Sequence, residues 1–414
     1  MGLTTQTATA PRCVSMALIG TGSMGRQYAR MLVGGAVPHM RLTTVCCRSG
    51  EARAWAGETL PGEVLVCSSS EEVYAHPDRY DAVLIVTPHS SHAELAEQAF
   101  ALGKHVFCDK PSGMSVGDAE KMNRAAARWD RKFAMMFHQR LYARNRRIKE
   151  ILESGELGKL QRAALKSTEP YRTWAYHSSG TWRSSWNGEG GGTLINQGQH
   201  PLDLWQWFFG MPQEVYGSIV FGKYNDFAVD DEAHILMRYE NGMTGSFFLS
   251  TGEARSQDSL EIVGTRGTLV TDRDTITICR YSQDSLEYGK HSGYHTREGM
   301  SFEESVEVCP TRKDYEGMLE NFAMAVLEGE PLIAPGQEGY KALELANSAY
   351  LSAWTRRPVT LPLDVQVYEE ELRKRMEEEK MTFPANHKEV LRLYNLREMA
   401  QIDYNSGMQK AKSD

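Results

Sequence analysis

Two basic side chains in this 414-residue sequence sit where chemistry needs them held still. Lys110 ends an apolar stretch, His105–Asp109, and is followed by Pro111, so it belongs at the mouth of a short strand. An ammonium there can hydrogen-bond a substrate hydroxyl and stabilise the alkoxide that forms as the alcohol is oxidised. His200 precedes Pro201, which suits a first helical position, in a helix that can run to Gly210. The positive end of that helix disfavours a charged imidazole, and a neutral imidazole is what a general base for alcohol oxidation requires. Asp203, one turn on, can orient His200 or cap backbone amides.

A third element supplies a partner for this chemistry. Gly20, Gly22 and Gly25 stand in the order G-T-G-S-M-G, the first of them closing the apolar run Val14–Gly20, before a helical stretch that stops at Gly34 and Gly35. Gly20 permits a tight turn, Gly22 lets backbone approach a pyrophosphate, and Gly25 lets helix and strand pack closely. Ser23 and Met24 complete the turn, which suits a dinucleotide. The second strand, Leu42–Cys47, leads into Arg48 and Ser49, with no carboxylate to grip ribose hydroxyls. Arginine beside serine can hold a 2′-phosphate, which favours NADP(H) over NAD. Arg48 can equally stack on adenine, with either cofactor bound beside Cys47 and Ser49.

The elements that position these groups alternate strand and helix up to Met136. Further strands are expected at Asp81–Thr87 and His105–Asp109, with a helix over Ala93–Leu102 between them. This rhythm predicts a doubly wound parallel sheet whose ligands sit outside the strands' carboxyl ends. Thr87, Pro88, His92, Asp109 and Lys110 therefore border the cofactor, although His92 and Glu94 also suit the start of a helix. Beyond Met136 come a helix at Asn145–Ser154, a strand at Arg162–Thr168, and an aromatic, glycine-rich loop from Glu169 to Gly192. Alternating segments from Glu214 to Cys279 predict a large, mostly antiparallel sheet, with helices at Asp314–Leu327 and Gly339–Trp354. The expected division is a tail over residues 1–13, a Rossmann domain over 14–136, a substrate and oligomerisation domain over 137–361, and a charged helical extension over 362–414. That extension reads as surface helix, or as an oligomer arm.

Five of the eight tryptophans fall between Trp174 and Trp207. Trp205 and Trp207, on a helix, read as core. Tyr171, Trp174, Tyr176 and Trp182 precede the His200 segment and are candidates to wall a pocket. Aromatic faces suit the C–H faces of sugar rings, and flanking arginine and histidine donors suit their hydroxyls.

The bulk properties agree with such an enzyme. Net charge is −8, which leaves no basic footprint for nucleic acid or an anionic membrane. No apolar run is long enough to span a bilayer, and the threonine-rich start lacks the pattern of a signal peptide. Seven cysteines without C-x-x-C spacing suggest neither a disulfide framework nor a metal site. A cytoplasmic setting fits.

Taken together, G-T-G-S-M-G, T-P-H-S-S-H, D-K-P, G-G-G-T-L-I-N-Q-G-Q-H-P-L-D and I-V-G-T-R-G-T-L resemble the Gfo/Idh/MocA oxidoreductases over roughly Val14 to Pro358. The resemblance implies a Rossmann domain followed by an α/β domain whose open sheet often joins dimers or tetramers. It implies that Lys110 and His200 are catalytic, with Asp109 standing where glutamate is usual. It also implies that Arg140 contacts substrate, and that Asn196 occupies a position where aspartate is common. Asparagine can orient a hydroxyl but cannot relay a proton. The expected reaction is hydride transfer between NADP or NAD and a hydroxyl-bearing carbon of a sugar, polyol or glycoside. Lys110, His200 and Asn196 would carry the chemistry. Arg140, Tyr171, Trp174, Tyr176, Trp182, Asn196, His200 and Asp203 would hold the substrate. Redox-assisted glycoside cleavage with a recycled cofactor, and a non-catalytic sugar or cofactor sensor, remain the alternatives.

Overall fold

Six short strands pair in parallel in the computed structural model, which describes residues 12–177, 179–180, 182–225, 227–312 and 314–382. They are β1 (Val14–Ile19), β2 (Met40–Cys46), β3 (Leu65–Cys67), β4 (Ala82–Ile85), β5 (His105–Cys108) and β6 (Phe133–Met135), ordered β3-β2-β1-β4-β5-β6. Every residue of β1, β4 and β6 is buried. Burial on both faces explains their sequences, apolar but for Ser15. Connecting helices are α1 (Ser23–Val33), α2 (Gly50–Thr59), α3 (Ser70–Tyr74), α4 (His92–Ala101) and α5 (Val116–Arg128). Strand order reverses between β1 and β4, which opens a crevice at their carboxyl ends.

After α6 (Ala143–Ser154) the chain builds a nine-stranded sheet. Its strands are β7 (Leu160–Ser167), β8 (Glu214–Phe221), β9 (Asp230–Arg238), β10 (Thr244–Ser250), β11 (Asp258–Gly264), β12 (Gly267–Asp272), β13 (Thr275–Tyr281), β14 (Phe302–Val308) and β15 (Val359–Thr360). Adjacent strands are antiparallel except β7 and β10, which run parallel. Short helices α7 (Trp174–His177) and α8 (Thr193–Asn196), then α9 (Gln199–Phe209), lie between β7 and β8. The remaining helices are α10 (Ser285–His291), α11 (Tyr315–Leu327), α12 (Gly336–Thr355) and α13 (Val365–Thr382).

The middle of α12 is buried on all sides, from Ala342 to Ser352, against β8, α9, α5 and β6. Its polar side chains tie the two sheets together. Asn347 accepts from the Val116 amide at 2.9 Å and donates to the Tyr368 hydroxyl at 2.9 Å, while Ser352 accepts from the Gly217 amide at 3.0 Å. These bonds satisfy groups that would otherwise be costly to bury.

The outer face of the large sheet keeps apolar residues in the open. Register places Tyr216, Leu236, Ser246, Ala164, Glu261, Val270, Thr277 and Val306 in one row across eight strands. Of these, Tyr216, Leu236, Val270 and Val306 are exposed.

The fold class is the expected one. Strand β14 and helix α10 were not anticipated, and the reason lies in the edge position of β14. Most of its residues are exposed, so its sequence F-E-E-S-V-E-V carries charge where an inner strand would carry apolar groups. Helix α13 is more than surface decoration, since Tyr368 and Leu372 are buried. The rest of the charged extension, from 383 on, and tail residues 1–11 lie outside the described residues.

Candidate active site

The turn between β1 and α1 divides the labour of its three glycines as the spacing anticipates. Gly20 has φ of +108°, and a Cβ there would overlap the Val86 carbonyl. A Cβ on Gly25 would overlap the Gly20 carbonyl, so only glycine lets α1 sit this close to the turn. Gly22 has nothing within 4 Å of a Cβ position, and it faces open space. Helix α1 has no side-chain cap and no acidic residue in its first turn. Its free amides and positive end thus meet the crevice, an arrangement that accepts phosphate.

Gly20, Thr21, Gly22, Arg26, Arg48, Ser49 and Thr87 line the cleft above this turn. The Ser49 hydroxyl accepts from the Ala52 amide at 3.0 Å, which starts α2 and leaves its proton to donate. Arg48 is exposed, and its side chain has no hydrogen bond or ion pair among the described residues. Arg26 was not anticipated. It donates to the Thr21 carbonyl at 3.1 Å and to Glu51 at 2.9 Å, so it braces the cleft wall. Cys47 differs from expectation because it is fully buried, and Cys46 borders the cleft instead.

Two other expected cofactor contacts turn inward. His92 is buried, with ring nitrogens 2.8 Å from the Pro111 carbonyl and 2.7 Å from the Thr87 carbonyl. It joins the ends of the β4 and β5 segments, Thr87-Pro88 and Lys110-Pro111, rather than facing a ligand. Asp109 accepts from the Lys110 amide at 2.8 Å and from the Tyr28 hydroxyl at 3.4 Å, beneath the site.

Lys110 points the other way. Its ammonium donates to the Asn196 carbonyl at 2.7 Å and to Asn196 Oδ1 at 2.9 Å. That carbonyl belongs to the last residue of α8, where helices leave acceptors unsatisfied and favour a cation. An ammonium has three N–H donors, and the third is left for a ligand. Burial pushes the Lys110 pKa down to about 8, with Arg183 and Arg172 adding to the fall and Asp109 and Glu189 opposing it. The amine is therefore largely protonated at neutral pH.

Asn196 is in turn held by Glu189, a residue the sequence reading passed over. The Asn196 amide donates to Glu189 Oε1 and, at 3.0 Å, to the Tyr176 hydroxyl. Glu189 Oε2 accepts from the Ser184 amide at 2.6 Å, and the Glu189 carbonyl meets His89 Nδ1 at 2.9 Å. Burial raises the Glu189 pKa to about 7, against the lowering influence of Arg183 and the hydrogen bonds it accepts. The triple glycine that follows packs against Met114, Tyr350 and Asp230, with no room for side chains. Asp230, from β9, accepts from the Gly192 and Leu194 amides at 2.8 Å each and so caps α8 from a distance.

His200 stands one turn beyond Asn196. Its ring packs edge-on to His138 at 4.7 Å and to Phe137 at 6.2 Å. The helical turn of α8 runs almost directly into α9, with the Gly198 amide bonded to the Thr193 carbonyl at 2.8 Å. His200 is thus at a helix joint, not at the free helix start anticipated from Pro201.

Arg140 and Asp203 correct the expectation most clearly. Arg140 is 3% exposed, and its fork meets the two Asp203 oxygens at 2.8 and 2.5 Å. It also binds Glu338 at 3.0 Å and the Ile333 carbonyl at 3.0 Å. Gln206 donates to both acids as well. Arg140 and Asp203 form a buried ion pair that ties α9 to α12, so the donors expected to meet substrate are spent largely on protein groups.

Among the aromatic candidates, Tyr176 and Trp182 join the Lys110–Asn196 cluster. Tyr176 accepts from Gln197 and Arg183 at 2.9 Å each, and Trp182 stands 5.2 Å from His89. Tyr171 is 50% exposed, and Trp174 packs against Phe227 at 6.0 Å. Trp205 is core, as expected, while Trp207 is partly buried beneath the Arg140 and Lys149 cations. The loop carrying Trp182 and Glu189 is fastened from α13. Glu379, 8% exposed, accepts from the Trp186 amide at 2.9 Å, the Asn187 amide at 3.0 Å and the Asn187 side chain at 2.7 Å. Among the described residues, no His/Cys/Asp/Glu group suits a metal ion, and no helix is long and apolar enough to cross a membrane.

Comparison with known proteins agrees with the two-part fold. Residues 14–137 match the description "Oxidoreductase family, NAD-binding Rossmann fold", and residues 145–270 match "GFO/IDH/MocA C-terminal domain". Myo-inositol 2-dehydrogenase of Thermotoga maritima is 26% identical, over 68% of this chain and 80% of its own. D-xylose 1-dehydrogenase [NADP(+)] of Haloarcula marismortui is 24% identical, over 86% of this chain and 95% of its own. The WlbA dehydrogenase of Bordetella pertussis, solved with NADH and UDP-GlcNAcA, superposes with a TM-score of 0.71 at 20% identity, over 85% of this chain and all of that one.

Proposed function

We propose a hydride-transfer function for this chain, which belongs to the Gfo/Idh/MocA family of oxidoreductases. The substrate is a sugar, polyol or glycoside, oxidised or reduced at a carbon bearing a hydroxyl. The observation that carries the reading is the Lys110 ammonium. It is fixed by two bonds to Asn196, which precedes His200 by four residues, and has one donor left over among the described residues.

A nicotinamide cofactor, when bound, supplies the hydride acceptor or donor. The amides at the start of α1, with the open side of Gly22, would hold its pyrophosphate. Arg48 and Ser49 would receive a 2′-phosphate, which supports a preference for NADP(H). The nearby carboxylate of Glu51, which would repel that phosphate, is engaged by Arg26. Lys110 donates to the substrate hydroxyl and stabilises its oxygen as negative charge develops. His200 takes or returns the hydroxyl proton. Asn196, itself oriented by Glu189 and Tyr176, fixes where Lys110 points. Trp182 offers an aromatic edge to the sugar.

The test is turnover of a panel of sugars and polyols with NAD+ and NADP+ in turn. Lys110→Ala and His200→Ala should fold, retain cofactor, and lose roughly 10²–10⁴-fold in kcat. Near-normal rates in either would remove that residue from the mechanism.

The relatives' names support a carbohydrate substrate: inositol, xylose and, in Ensifer adhaerens, 1,5-anhydro-D-fructose. The exposed Tyr216, Leu236, Val270 and Val306 on the large sheet support a second proposal, that another copy of this chain covers this face to give a homodimer or homotetramer.

A further inference from the structure

The candidate site holds more positive charge than hydride transfer to a neutral sugar requires. Lys110 and Arg183 act on the buried carboxylate of Glu189, Asp109 lies on the other side of Lys110, and Arg172 stands beside them over the Tyr176 ring. Arg183 approaches that carboxylate only to 4.0 Å and spends its hydrogen bond on the Tyr176 hydroxyl, at 2.9 Å. Arg172 has no such engagement. Its Nε is buried without a hydrogen-bond partner, and its side chain has no ion pair among the described residues. Both guanidiniums lie over the Tyr176 ring, at 3.8 Å for Arg172 and 4.6 Å for Arg183. Cation–π attraction explains why they sit there, but not why two like charges share one ring.

Arg172 is also placed with care. Its amide donates to the Thr251 carbonyl at 2.8 Å, and the Thr251 hydroxyl pairs with that of Thr193, on α8, at 2.8 Å. The arginine is therefore braced against the same short helix that carries Asn196. A buried donor with no acceptor is destabilising unless a ligand completes it. A guanidinium fork matches carboxylate and phosphate oxygens.

We propose that the substrate carries a compact anionic group, a carboxylate or a phosphate ester, which Arg172 receives with help from Arg183 beside Tyr176. This rests on the hydride-transfer reading above and narrows its substrate to acidic or phosphorylated sugars. The incoming anion offsets the repulsion among the three cations. It also removes part of the pressure that the two arginines exert on the Lys110 proton.

Two arms test it. In the first, kcat/KM is compared for glucose, glucuronate and glucose 6-phosphate, and for neutral and acidic forms of any other sugar turned over. The charged member of a pair should exceed the neutral one by about tenfold to a hundredfold, and Arg172→Met should bring the ratio towards one. Equal values for neutral and charged members, or a ratio unmoved by Arg172→Met, overturns the proposal. In the second, protein saturated with NADP+ is titrated calorimetrically with inorganic phosphate, glucuronate and glucose 6-phosphate. Binding that weakens about tenfold or more in Arg172→Met supports the anion site, and the tighter ligand tells carboxylate from phosphate. Arg183→Met serves as the second variant if Arg172→Met fails to fold by circular dichroism. Anion binding that depends on these arginines, with no sugar turned over, retains the anion site and removes hydride transfer. Binding indifferent to both arginines removes the anion site, whatever the turnover.

Discussion

Gly22 and Gly25 are three residues apart in one turn, yet substituting each by alanine should produce opposite phenotypes. At Gly25 the added methyl meets the Gly20 carbonyl group, with its carbon only 2.9 Å away, and that group is backbone, which cannot rotate aside. Relieving the overlap means moving α1 off the turn, at a cost of about 1–3 kcal/mol or more. The melting temperature should fall by roughly 3–10 °C. At Gly22 the methyl meets nothing within 4 Å, and φ of −69° with ψ of −168° is open to any residue. Alanine is a poorer N-cap than glycine, but it restricts the unfolded chain more, and the two effects are small and opposed. Gly22→Ala should therefore melt close to the parent. Its methyl points where the pyrophosphate must come, and losing one charged amide–phosphate bond weakens cofactor binding roughly tenfold to a hundredfold. Thermal melts and fluorescence titration with NADP+ and NAD+ read both quantities. A Gly22→Ala protein with parental affinity would refute the placement of the pyrophosphate on this turn, and a Gly25→Ala protein with parental stability would refute the packing argument.

Three further outcomes are expected. Burial gives Glu189 a folded pKa of about 7 against 4.5 for the free group, so the folded state holds the extra proton between those values. Stability should fall as pH rises through that window, by up to about 3 kcal/mol, and Glu189→Gln should flatten the slope in urea titrations; an unchanged slope removes Glu189 as its source. Arg140→Met leaves the buried Asp203 without its cation, while Glu338 keeps Lys341 at 2.8 Å, and should cost about 3–5 kcal/mol by denaturant unfolding. A stable variant with a raised substrate KM would instead restore Arg140 to the substrate. Leu236→Glu, in the exposed row of the large sheet, should shift sedimentation velocity from oligomer to monomer; a parent protein that already sediments as a monomer contradicts the proposed cover.

The cofactor turn was readable because each glycine answers to a local requirement, and a strand before it and a helix after it settle the geometry. Lys110 was readable for a similar reason, being fixed by the strand that ends beside it. The partners of Lys110 were not. Glu189 sits in G-E-G-G-G, where a lone acid among glycines was the available signal, but its value comes from burial beside His89, Lys110, Ser184 and Asn196, which are brought together only in the fold. Arg140 misled because a family position carries no information about which side chains close around it. Only the fold shows that Asp203 and Glu338 already consume its donors. The register that lines up Tyr216, Leu236, Val270 and Val306 is likewise invisible strand by strand, since pairing across eight strands decides which exposed residues become neighbours.

The grip of Glu379 on the Trp186–Asn187 turn has a consequence in time. A chain emerging from the ribosome can complete its first sheet long before α13 exists, because domains fold in order as they are made. The loop that carries Trp182 and Glu189 acquires its brace only when residues near the far end arrive. Nucleotide affinity should therefore mature early in synthesis and sugar recognition late, and a product broken off ahead of residue 379 would hold its coenzyme over an unfinished pocket.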